Sequence, residues 1–143
     1  MTLQAKYLMS GDWVQVEAHR GFKSQKVKVI TIPDYDDDND YGRHYGCIGA
    51  WLQGGDNDFR DIKTSHLRPI PLTPEILEKN GWRYDETNKA YLWKDGNYYI
   101  SIDLHGKTRV YVCNDYILGL PVDCVHELQH ALRLCRIEKT IEL

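Results

Sequence analysis

The sequence has no long hydrophobic run, and its first twenty residues lack the basic-then-apolar order of a secretory signal, so nothing in it reads as a membrane span or an export leader. It also lacks an excess of charge of either sign. The formal net charge is -3, and the halves are alike: residues 1–70 carry 9 basic and 10 acidic side chains, residues 71–143 carry 9 and 11. That balance argues against binding by bulk charge to nucleic acid or to an anionic membrane. Cysteine is sparse, and Cys47, Cys113, Cys124 and Cys135 form no C-x-x-C pair, so neither a zinc knuckle nor a thioredoxin-like motif is indicated. Free, mostly buried thiols in a cytoplasmic chain are the expectation. No phosphate-cradling glycine loop, serine nucleophile elbow or cysteine-histidine pair at an informative spacing is apparent.

What is present suffices for a core. The chain has 143 residues, 42% of them hydrophobic, which supports one ordinary domain or two small modules. Short β-type segments fill the N-terminal half: "DWVQVEA", "KVKVITI", "GCIGAWL" and "HLRPIPL". Val14 and Val16 share a face, as do Val27, Val29 and Thr31, because alternate strand residues project to the same side. Such strands in residues 1–70 predict a small SH3-like β-barrel, and "GDWVQV" resembles the first strand of such barrels.

After "RPIPL" the pattern changes. Thr73 can cap a helix, Pro74 fits its first turn, Glu75 suits the positive end of its dipole, and Asn80-Gly81 ends it. Aromatic-rich segments then alternate around Asp95-Gly96 and His105-Gly106, as hairpins of an antiparallel meander would. A C-terminal helix follows. At about 100° per residue, Cys124, Val125, Ala131, Leu132 and Cys135 lie within about 60° of Leu128, an apolar stripe. The closing "KTIEL" is a candidate last strand. Residues 71–143 therefore read as a small α+β module of short helix, β-meander and C-terminal helix.

The C-terminal helix carries the sharpest motif. His126-Glu127-Leu128-Gln129-His130 matches H-E-x-x-H, in which two histidines one turn apart ligate zinc and the glutamate is the base of a metallopeptidase. The same helical wheel puts His126 and His130 about 160° from Leu128 on either side, on the face turned to solvent. A third ligand is also wanting: only Glu138 and Glu142 follow as carboxylates, too close for a second ligand-bearing helix, and His105 or Asp103 would have to serve from upstream. The expectation is therefore no metal and no cofactor, with zinc at His126 and His130 and Glu127 as base the alternative.

"RPIPLTPEILEKNGW", the aromatic meander and the closing "VHELQHALRLC" together resemble a group of small uncharacterised proteins encoded by gut anaerobic bacteria, their phages and mobile elements. The resemblance covers roughly residues 67–143, with a weaker likeness at "LMSGDWVQV". In similar sequences the helix often has glutamine or asparagine where Glu127 and His130 stand, which would remove the base and one ligand. Arg136 replaces the glycine expected as helix stop. The resemblance implies architecture and no activity.

Two further segments bear on binding. Asp34, Asp36 and Asp38 have the first spacings of an EF-hand loop, but Asn39 stands where glycine is needed and Tyr45 where the bidentate glutamate belongs. The cluster His19, Arg20, Lys23, Lys26 and Lys28 reads as a solvated rim. Tyrosine and tryptophan total fourteen, which favours a recognition surface. The sequence thus predicts a non-enzymatic binding or adaptor protein for another protein or peptide. Its expected docking residues are Trp13 and Trp51 beside an acidic loop containing Asp36, Asp37 and Asp38, a combination suited to a basic or proline-containing partner.

Overall fold

The computed structural model describes residues 8–9, 11–18, 23–31, 47–52, 59–96, 98–104, 107–112 and 115–143. The chain is α+β and forms two compact units, Met1–Ile70 and Pro71–Leu143. No helix among the described residues is long and apolar enough to cross a membrane.

The first unit is an antiparallel sheet of β1 (Trp13–Val16), β2 (Gln25–Thr31), β3 (Cys47–Leu52), β4 (Phe59–Lys63) and β5 (Leu67–Arg68). Its order is β4-β3-β2-β1-β5, and a 3-10 turn at Thr64–His66 separates β4 from β5. Among the described residues no pairing joins β4 to β5, so the sheet is not a closed barrel. The alternation expected for β1 and for Gln25–Val29 of β2 holds: Val14, Val16, Val27 and Val29 are buried, whereas Trp13, Gln15 and Lys28 are only partly covered; the Thr31 side chain lies outside the described ones. The strand is entered through a tight turn at Gly11, whose φ of 90° is open to glycine. Buried Asp12 stabilises that turn by accepting the Met9 N–H at 2.7 Å through Oδ2. At the other end Arg68 ties β5 down, with its Nε 2.9 Å from Glu17 Oε1 and Nη1 donating to the Ser65 and Leu67 carbonyls.

The second unit opens with α1 (Pro74–Lys79), capped as its sequence requires: Thr73 Oγ1 accepts the Ile76 N–H, and Asn80 is the C-cap. A sheet of five sequential antiparallel strands follows, β6 (Arg83–Asp85), β7 (Ala90–Asp95), β8 (Tyr98–Asp103), β9 (Lys107–Val112) and β10 (Asp115–Leu120). The last strand, "DYILGL", had no place in the meander read from the aromatic segments. Its pairing with β9 shifts register between Tyr116 and Leu118, so it lacks strict alternation. Asp95-Gly96 does turn β7 into β8, with Gly96 at φ 55°, while the proposed turn at His105-Gly106 lies outside the described residues. Leu77, Trp82, Ile100, Ile102, Val125, Leu128, Leu132 and Ile141 are among this unit's buried apolar side chains.

The chain ends without the strand expected of "KTIEL". Helix α2 (Val125–Leu134) stops with Arg136 at φ 56°, and the tail is held by hydrogen bonds exchanged between Glu142 and Asn80 instead of by a sheet edge. A side-chain amide can satisfy the backbone of one residue as a strand would, and it needs no β pattern.

Candidate functional site

The site is built where an extended segment becomes a helix. Cys124 is the N-cap of α2, with φ -142° and ψ 165°, and it forms an isolated antiparallel bridge with Pro71. The Leu72 N–H donates to the Asp123 carbonyl at 3.1 Å beside it. These contacts hold the residues before α2 in extended form, after which Leu128 N–H bonds to the Cys124 carbonyl as the first helical turn closes. Glu127, in that turn, accepts the Asp123 N–H at 2.8 Å through Oε2. A carboxylate there also meets the positive end of the helix dipole.

Because Cys124 is extended, it does not follow the helical wheel. Its Sγ lies 3.3 Å from His126 Nδ1 and 3.8 Å from Nε2, although a regular helix would put residues two apart on different sides. Cys124, His126 and Glu127 form a cluster in which one ligand atom from each lies within 4.8 Å of the others. Cys124 and His126 are both 4% exposed, and Glu127 is partly covered.

The expectation that His126 points into solvent is thus corrected. The wheel ranks the faces of an isolated helix, whereas His126 sits in the first turn, beside the segment paired through Pro71 and Leu72. His130, one turn on, is only partly covered, and its ring centroid lies 5.7 Å from that of His126 in an edge-on arrangement. The two H-E-x-x-H histidines are neighbours, as their spacing requires. The clustered donors, however, include Glu127 and Cys124 and leave out His130. In a peptidase Glu127 would stand off the metal as a base; here its carboxylate clusters with the Cys124 sulfur and the His126 ring.

Burial, followed by the nearby Glu127 and Asp123 carboxylates, pushes the Cys124 thiol up to about 12 against the lowering effect of the Glu127 backbone N–H. The thiol is therefore protonated at neutral pH and can donate to His126 Nδ1, which is the opposite of an activated nucleophile. Cys135, at the C-cap of α2, is also raised by burial, and both thiols are free.

The sequence reading passed over Cys124. The signal was there, as Cys-x-His-Glu, but the wheel assigned Cys124 to the apolar stripe. The stripe itself is as expected, with Cys124, Val125, Leu128, Ala131 and Leu132 buried and Cys135 partly so.

Of the expected docking residues, Trp13 on β1 is partly exposed, and the Lys28 ammonium lies 5.7 Å from its ring centroid. The register pairs Trp13 with Lys28, Lys28 with Trp51 and Trp51 with Phe59, a single row across four strands. Asp36, Asp37 and Asp38 lie outside the described residues, as do His19 and Arg20 of the basic cluster and the rest of the EF-hand-like segment. Comparison with family models, curated proteins and solved structures finds no match for this chain.

Proposed function

We propose that this chain is a non-enzymatic binding or adaptor protein of the cytoplasm, whose first unit is an SH3-like fold that receives a basic or proline-containing protein segment. The observation that carries this reading is the row Trp13, Lys28, Trp51, Phe59 across β1 to β4. Partly exposed Trp13 offers contact area at low entropic cost, and its ring already accepts a cation from Lys28. A partner's arginine or lysine would use the same chemistry, and the carboxylates of Asp36, Asp37 and Asp38 would select for it. The strand order supports the SH3-like reading, because a fifth strand returning to pair with the first is how a five-stranded meander bends toward closure. Kinship with the proteins of gut anaerobes, their phages and mobile elements belongs to the same proposal, and rests on the motifs of residues 67–143.

The test is a tryptophan-fluorescence titration with synthetic peptides that combine proline with arginine or lysine. Saturable binding is expected, lost in Trp13→Ala and weakened several-fold when Asp36, Asp37 and Asp38 are all changed to asparagine. Binding indifferent to Trp13→Ala, or no saturable change with any such peptide, would end the proposal.

A further inference from the structure

We infer that Cys124, His126 and Glu127 form a binding site for one divalent cation of the zinc class, independent of the docking surface on the first unit. Three donors of different kinds, a sulfur, an imidazole nitrogen and a carboxylate oxygen, meet within 4.8 Å. Zinc bonds of about 2.3 Å to sulfur and about 2.0–2.1 Å to nitrogen place tetrahedral donors roughly 3.5 Å apart. The observed Sγ to Nδ1 separation of 3.3 Å is close to that, so a cation would need little movement of either side chain.

The surroundings favour such a cation. Cys124 and His126 are 4% exposed, which limits competition from water, and the bridge at Pro71 fixes the cysteine backbone before any ion arrives. Glu127 spends one acceptor position on the Asp123 N–H, and an ionised carboxylate keeps further lone pairs for a metal. That same N–H holds the carboxylate in place, the role outer hydrogen bonds play around metal ligands. A carboxylate beside a buried thiol opposes its ionisation; with a dication between them both charges become attractive. Binding then forms the metal-sulfur bond, breaks the S–H bond and releases that proton to solvent, with no change of oxidation state. Thiolate and imidazole select the zinc class over magnesium or calcium, which prefer all-oxygen sites. Three protein donors leave a fourth tetrahedral position to solvent.

This donor set differs from that of an H-E-x-x-H peptidase, in which His130 is a ligand and Cys124 has no part. The experiment uses full-length protein without a histidine tag, stripped with a chelator and titrated with Co²⁺ and then Zn²⁺. One equivalent of Co²⁺ is expected, with a thiolate-to-cobalt charge-transfer band that Zn²⁺ abolishes. Cys124→Ala and His126→Ala should lose stoichiometric binding, and Glu127→Gln should weaken it by about tenfold or more. Cys135→Ala and His130→Ala should keep it. Should the Cys124 and His126 variants fail to fold, X-ray absorption at the zinc edge of the wild-type chain decides, with one sulfur in the first shell expected. Absence of a thiolate band, a zinc shell without sulfur, or loss of binding in Cys135→Ala would overturn the site. Loss in His130→Ala with none in Glu127→Gln would overturn it in favour of the H-E-x-x-H set.

Discussion

Asn80 and Glu142 exchange two hydrogen bonds across 62 residues of sequence: Asn80 Nδ2 donates to the Glu142 carbonyl and the Glu142 N–H donates to Asn80 Oδ1, each at 2.8 Å. Asn80 Nδ2 also donates to the Ile76 carbonyl at 2.8 Å, and the residue is 7% exposed. One amide thus ends α1 and pins the tail that buries Ile141. Asn80→Ala should destabilise the protein by about 1–3 kcal/mol, because three part-buried hydrogen bonds to the backbone are lost together. Lys79→Ala removes only an exposed bond to the Leu143 carbonyl and should cost under about 0.5 kcal/mol. Urea denaturation of both variants checks this, and equal losses would mean that the amide is not what holds the tail.

Gly81 and Arg136 occupy equivalent positions after their helices. Trp82 N–H bonds back to the Leu77 carbonyl and Ile137 N–H to that of Leu132, while Gly81 and Arg136 bond to Glu78 and Arg133. Both have positive φ, 89° and 56°, but only glycine adopts it freely. Arg136→Gly should therefore stabilise by about 1 kcal/mol and Gly81→Ala destabilise by a similar amount. A methyl at Gly81 would meet Trp93 at an ordinary 3.6 Å, so its cost is in the backbone. Thermal melts moving in opposite directions are the expected result.

Along α2 the expected order of loss on substitution by alanine is Leu128, then His126, then His130. Leu128 is fully buried and should cost about 2–5 kcal/mol. His126→Ala removes a buried imidazole 3.3 Å from the Cys124 sulfur and should cost about 1–3 kcal/mol. His130, partly covered, should cost under about 1 kcal/mol. Chelator-treated protein and denaturant melts give the ranking; a His130 loss equal to that of Leu128 would contradict it.

Stability of the metal-free protein should fall at high pH. The Cys124 thiol is raised from 9.0 to about 12 on folding, so the folded state holds its proton more tightly. Its contribution is complete below about pH 9 and is lost as pH rises toward 12. Tyr91, raised by burial and then by Glu78, adds a loss of the same sign. The difference in melting temperature between wild type and Cys124→Ala, followed from pH 8 to about 11, isolates the cysteine. A difference constant over that range would mean that the thiol ionises as freely in the fold as outside it.

Local features were legible in the sequence because local chemistry sets them. Thr73 caps α1, Asn80 and Gly81 end it, Gly96 turns a hairpin, and alternate valines enter the first sheet. Each depends on dihedral preference or on a period of 2 or 3.6, and both are written in neighbouring residues. The stripe of Val125, Leu128, Ala131 and Leu132 was readable for the same reason.

Tertiary structure decided the rest. Nothing near His126 in sequence announces its burial, and nothing in "KTIEL" announces that Asn80 will hold it. Pro71 and Leu72 keep Cys124 out of the helix and so turn its sulfur toward His126, although 53 residues separate Pro71 from Cys124. A periodic pattern predicts which face of an element is apolar; which polar groups meet depends on where distant backbone leaves them, and that is settled only when the chain packs.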